Sequence, residues 1–162
     1  LWASAGLEVV EVTAPAVHPT HRDHDTVLPD TPAPPDRRWG GQLFVHHVAA
    51  TAPTSPSWLP GFEAVDLGIA TASGGRAGVR THVATLTDSA TSPVSHTADV
   101  VIFHVLAGAA EVVLGSRTAH LGDGDTLTVG PGTPVTWRPQ PGLRLLEVAL
   151  PEHGAAGPAP AP

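Results

Sequence analysis

Ten histidines in a chain of 162 residues that lacks cysteine are the side chains best able to do chemistry here. Histidine can carry a proton or bind a metal near neutral pH. The absence of cysteine excludes disulfides, thiolate nucleophiles and cysteine-based metal sites. His18, His21 and His24 stand close to Asp23 and Asp25, a density that resembles a metal site. Their three-residue separation suits a helix face, yet Pro15, Pro19, Pro29, Pro32, Pro34 and Pro35 crowd the same stretch and oppose a helix. The stretch therefore reads first as a solvated His/Asp-rich arm and second as a metal or catalytic segment. His46 and His47 are adjacent, so on a strand they point to opposite faces and cannot line one site together. His82 and His96 lie in β-rich surroundings.

The elements that must position them are strands. Between Val94 and Trp137, short β-rich runs alternate with Gly, Asp and Pro punctuation at intervals of about ten residues, the pattern of an all-β sandwich or barrel. Val100–Leu106, Ala110–Leu121, Thr126–Val129 and Val135–Trp137 carry the strands of this stretch. Upstream, Leu7–Val12 alternates as an opening strand, Gln42–Val48 is a second, and Phe62–Ile69 resumes the pattern. Ala49–Pro60, containing Trp58, reads as a Pro/Ser/Thr-rich linker. Ala77–Leu86 predicts a strand with Arg80, His82, Ala84 and Leu86 on one face. Leu143–Leu150 closes the fold. The expected division is an N-terminal strand and Pro/His-rich arm over 1–40, a β-barrel over 41–152, and a flexible Ala/Pro/Gly tail over 153–162.

Composition narrows the classes of function. The net charge is −7, and eight arginines are the only fixed cations, so a nucleic-acid groove or an anionic membrane surface is not expected. No run approaches the ~20 apolar residues of a membrane span. Leu1–Gly6 lack the basic and apolar regions of a signal peptide, and a cytoplasmic location is the expectation. Gly122–Asp125 lacks the ligand pattern of a calcium loop, and Gly74–Gly78 is no phosphate loop. No Gly-x-Ser-x-Gly elbow exists, so no acylation triad is expected. Asp66, Asp99 and Glu147 cannot be paired as acid and base from spacing.

Residues 61–150 resemble the cupin superfamily, in particular small single-domain cupins. The resemblance rests on Gly61-Phe62, Asp66-Leu67-Gly68, Ala70 and Gly74-Gly75-Arg76. A first cupin motif follows over Val94–Gly108 and a second from Gly124-Asp125 through Pro131-Gly132 to Val135 and Trp137. It implies a cupin-like jelly-roll β-barrel, frequently dimeric, with a pocket inside. It also implies four metal-ligand positions, which fall here on Val94, His96, Val101 and Val135. One possible ligand is left of the four, so a degenerate metal site and no cofactor are expected. His104 stands at an odd offset from Val101 and is expected on the opposite face.

What remains inside is a wall of Val94, Val101, Phe103 and Val105, facing Leu127, Val129, Val135 and Trp137. His96 and His82 supply its polar, catalytic element. Arg80 either meets an anionic group of a substrate or is a rim or surface charge. These residues either fill the barrel or line a cavity for a small, largely apolar organic molecule. Two functions follow. One is a metal-independent isomerase, cyclase or dehydratase of bacterial secondary metabolism, the other a non-catalytic ligand-binding or structural barrel. The resemblance and the need to cover sheet edges make a homodimer the expected assembly.

Overall fold

The structure is a computed structural model and describes residues 5–13 and 34–151. Residues 1–33 and 34–162 form two units. In the first unit Leu7–Val12 forms no strand, contrary to expectation. An alternating segment becomes a strand only when a neighbour satisfies its backbone groups. His18, His21 and His24 lie outside the described residues, as does the tail after Pro151.

The second unit is built from antiparallel strands: β1 (Arg38–Trp39), β2 (Gln42–Leu43), β3 (Ser55–Pro56), β4 (Phe62–Asp66), β5 (Gly78–Ala84), β6 (Val100–Ala107), β7 (Ala110–Leu114), β8 (Arg117–Leu121), β9 (Thr126–Val129), β10 (Val135–Pro139) and β11 (Arg144–Leu150). A 3-10 turn (Ala49–Thr51) and one short α-helix, α1 (Ile69–Ser73), interrupt them among the described residues. A six-stranded sheet runs β3-β4-β5-β11-β6-β9, a three-stranded sheet runs β10-β7-β8, and β1-β2 is a separate hairpin. The two larger sheets form a cupin jelly roll. No helix among the described residues is long and apolar enough to cross a membrane.

Three stretches of this unit depart most from the sequence pattern. The strand expected over Gln42–Val48 stops at Leu43. The one expected over Phe62–Ile69 ends at Asp66, because the Asp66 carboxylate accepts a hydrogen bond from Gly68 N at 2.7 Å and turns the chain into α1. Ala49–Pro60 is more than linker: it contains β3, and Trp58 packs against the core.

Register explains how the inner face is composed. Arg80 lies opposite both Asp66 on β4 and Glu147 on β11; Glu147 in turn lies opposite Phe103 on β6, and Phe103 opposite Leu127 on β9. One step along, Ala64, His82, Leu145 and Val105 form the next row. Directly opposed residues share a face, so both rows lie on the inner face, with Asp66 at its solvent-exposed edge. On the smaller sheet Trp137 opposes Val112. Its ring meets Phe103 edge-on at 5.2 Å between centroids, which joins the two sheets.

Two glycines fix turns of the chain, one in the β7–β8 hairpin and one where the chain passes from β6 in the larger sheet to β7 in the smaller. Gly115 (φ +59°) begins the two-residue turn between Leu114 and Arg117, where a positive φ matches the twist of the strands. Gly108 (φ +82°) leaves β6 with its Cα so close to Leu143 that an added Cβ would sit 2.9 Å from that backbone.

Candidate functional site

Strand alternation places Val101, Phe103 and Val105 of β6 in the core, together with Val94, Val129, Val135 and Trp137. Leu127 packs against them, partly buried. His104 points away, its Nδ1 3.0 Å from Thr126 Oγ1. The four positions implied as metal ligands also lie inside. Val94 and Val135 pair through two backbone hydrogen bonds of 3.0 and 2.8 Å, and Val101 and His96 are buried. The residues at these positions do not fit a metal. Three carry only hydrocarbon, and His96 Nδ1 already accepts a hydrogen bond from Ala98 N at 2.8 Å. Among the described residues no group of three or more His, Asp or Glu converges as a metal site.

The polar chemistry of the interior lies instead on β5 and β11. His82 and Glu147 are both 0% exposed. His82 Nε2 is 2.8 Å from Glu147 Oε2, and the same oxygen accepts the Trp58 Nε1–H at 2.6 Å. Arg80 donates to Glu147 Oε1 at 3.2 Å. Its guanidinium lies 3.9 Å from the half-exposed Asp66, too loose and too wet a pair to contribute much. Arg80 is thus engaged by the buried carboxylate of this chain.

Burial pushes the Glu147 carboxyl upward, since desolvation penalises its charge. The hydrogen bond and charge of His82, the Trp58 indole and the charge of Arg80 outweigh it, and the group is held below the ordinary carboxylate value. Glu147 is therefore ionised at neutral pH. Burying such an ion alone would cost several kcal/mol, and the three donors are what make the position tolerable.

An ionised carboxylate only accepts, so His82 Nε2 carries a proton and donates to it. The other ring nitrogen, Nδ1, is 2.9 Å from Ser57 Oγ. That oxygen also accepts the Leu59 N–H at 2.9 Å. In the neutral ring Nδ1 is a lone pair and Ser57 O–H donates to it, which gives a directed chain, Ser57 to His82 to Glu147. In the imidazolium, whose charge helps hold Glu147 ionised, Nδ1–H donates to Ser57 Oγ instead. Both nitrogens of His82 are occupied, so the ring can exchange a proton only through Ser57 or the carboxylate.

His96 lies against Trp58, with ring centroids 5.2 Å apart, and Trp58 lies 6.2 Å from Phe103. Phe62 meets His82 and Trp137 edge-on at 6.4 and 6.3 Å. His82 and His96, the two proton-transfer candidates, thus share one aromatic cluster. Within it, Trp137 Nε1–H is fully buried and has no hydrogen-bond partner among the described residues. Buried donors are rarely left so.

Sequence reasoning missed Ser57, Trp58 and Glu147. Glu147 had a readable signal: it shares strand parity with the buried Leu145 and Ala149, so it had to point inward. Trp58 was a large apolar residue in a stretch taken for linker. For Ser57 the sequence holds no signal, because its side-chain partner His82 is 25 residues away.

Known proteins place this architecture. Residues 76–152 match the family described as the AraC-like ligand binding domain. No curated protein matches the sequence significantly. Among solved structures, the polyketide cyclase RemF from Streptomyces resistomycificus is similar with a TM-score of 0.60 at 20% identity, over 74% of this chain and 88% of that one. KdgF from Halomonas sp. is similar with a TM-score of 0.56 at 17% identity, over 66% and 94%. At these identities the likeness is one of fold. The β-barrel of this chain is a cupin fold whose residues 76–152 carry the AraC-like ligand-binding match.

Proposed function

We propose that the barrel binds a small, largely apolar organic molecule bearing at least one oxygen acceptor, and does so without a metal. The observation that carries this reading is Trp137 Nε1–H, a buried donor without a partner inside an aromatic and aliphatic wall. A carbonyl or ether oxygen on an otherwise apolar skeleton would satisfy it, and the wall would bind the skeleton by shape. Val94, Val101, Phe103, Val105, Leu127, Val129 and Val135 are the walls of that site. His96 is its polar contact, and His82, backed by Glu147, passes a proton to and from the site through Ser57 Oγ. The chemistry within reach of such a site is isomerisation, cyclisation or dehydration. The polyketide cyclase of similar fold belongs to the same class of reaction.

The match of residues 76–152 to a ligand-binding family favours a second reading, in which the barrel binds such a molecule and releases it unchanged. One experiment addresses both. Metal-stripped protein is titrated with 1-tetralone and with tetralin, which differ by one carbonyl. Calorimetry and indole fluorescence follow binding, and chromatography follows conversion. Tighter binding of the ketone, lost in Trp137→Phe, supports the site. Turnover of any cyclisable or enolisable ketone selects the enzyme. No binding of either compound, or binding only after metal is restored, overturns the proposal.

A further inference from the structure

We infer that Ser57 is a nucleophile, activated by the Ser57–His82–Glu147 chain to accept acyl groups from small activated esters. The inference goes beyond the barrel ligand and does not depend on it. Serine is a weak nucleophile until a base takes its proton, and the diagnostic arrangement is a hydroxyl on a base that a third group orients. Here Ser57 Oγ is 2.9 Å from His82 Nδ1, and His82 Nε2 is 2.8 Å from Glu147 Oε2. Such a constellation is recognised by geometry and roles rather than by chain order, and it recurs on unrelated folds. The missing Gly-x-Ser-x-Gly elbow therefore argues only against one scaffold for it.

Accessibility agrees with the roles. His82 and Glu147 are fully buried, whereas Ser57 is partly exposed, the order expected of a nucleophile backed by a buried base. The hydroxyl also has capacity to spare. It donates to His82 and accepts from Leu59 N, which leaves one of its two lone pairs for attack. The loop holds it in place. Ser57 N donates to Phe62 O at 3.2 Å, Leu59 is fully buried, and Trp58 is tied to the same carboxylate that orients the histidine. Pro56 and Pro60 restrict the backbone on either side.

The steps balance without any further reagent. Ser57 Oγ bonds to the ester carbonyl carbon as its proton passes to His82 Nδ1. The bond from that carbon to the alcohol oxygen breaks, and the alcohol leaves with the proton from His82. Water then attacks the acyl carbon, giving a proton to Nδ1. The carboxylic acid departs as Ser57 Oγ takes that proton back. Glu147 is a positioning residue: it fixes the tautomer and stabilises the imidazolium formed in each step.

The test treats the full chain with a fluorophosphonate and, separately, with p-nitrophenyl acetate, reading intact mass, the modified peptide and nitrophenol release. The expected result is one phosphonyl adduct on Ser57 and ester hydrolysis that falls at least about tenfold in Ser57→Ala, since base-assisted attack contributes about 10²–10⁴-fold. Circular dichroism checks that the variant is folded. The adduct on the wild-type chain needs no variant at all. Labelling that rises with pH and is slowed in Glu147→Gln identifies the chain as the activator. An adduct elsewhere, no adduct, or unchanged hydrolysis in Ser57→Ala overturns the inference.

Discussion

Two neighbouring regions of the barrel interior use opposite chemistry on similar strands. On the β6–β10 side, Val94, Val101 and Val135 stand where the cupin resemblance implied metal ligands, and the surroundings are hydrocarbon. On the β5–β11 side, a buried carboxylate, an imidazole and a guanidinium are bonded to one another and to an indole. An apolar wall needs only shape, whereas a buried ion needs each of its lone pairs answered. Polar function has thus been gathered where one strand pair can satisfy it, and the neighbouring positions on β6 and β10 are hydrocarbon.

The contrast predicts unequal costs of substitution. Glu147→Ala should be the most damaging, about 3–5 kcal/mol, because it leaves His82, Arg80 and Trp58 without their acceptor. Chemical denaturation measures it, and a loss under 1 kcal/mol would contradict the account of the buried carboxylate.

Acid should act through the same group. The folded carboxyl titrates below its ordinary value of 4.5. Its stabilising contribution is therefore complete above pH 4.5 and is lost as pH falls from there through the folded value. Stability followed from pH 6 to pH 3 should decline more steeply in the wild type than in Glu147→Gln. Equal slopes would show that Glu147 is not the group responsible.

Val101→Thr, nearly isosteric, tests the other side. It buries a hydroxyl among hydrocarbons and should cost about 1–3 kcal/mol. A neutral result would mean that a polar partner or water is at hand there, and the dry wall would be misdescribed. Ser57→Ala should cost about 1 kcal/mol, one hydrogen bond at a partly buried position. His104→Ala, whose side chain turns outward, should stay within about 0.5 kcal/mol. A larger loss at His104 than at Ser57 would reverse the assigned faces.

Much of the barrel was legible because strand alternation is a local property. Val101, Phe103 and Val105 share a face whatever lies around them, and the outward direction of His104 followed from parity alone. Where local pattern lacked a neighbour to pair with, it misled. Gln42–Val48 and Phe62–Ile69 alternate beyond the point where a ladder exists, and Leu7–Val12 alternates with none.

By itself the sequence determined the all-β architecture, the inward faces of its long strands and the absence of donors at three of four implied ligand positions. These depend on residue type and on a period of two. Only the tertiary structure decided that Ser57, Trp58, Arg80, His82 and Glu147 form one bonded group. It also decided that both nitrogens of His82 are engaged, and that Trp137 Nε1–H is buried without a partner. Hydrogen bonds depend on register between strands distant in the chain and on a loop folding over them. No spacing along the sequence encodes the 2.8 Å between residues 82 and 147.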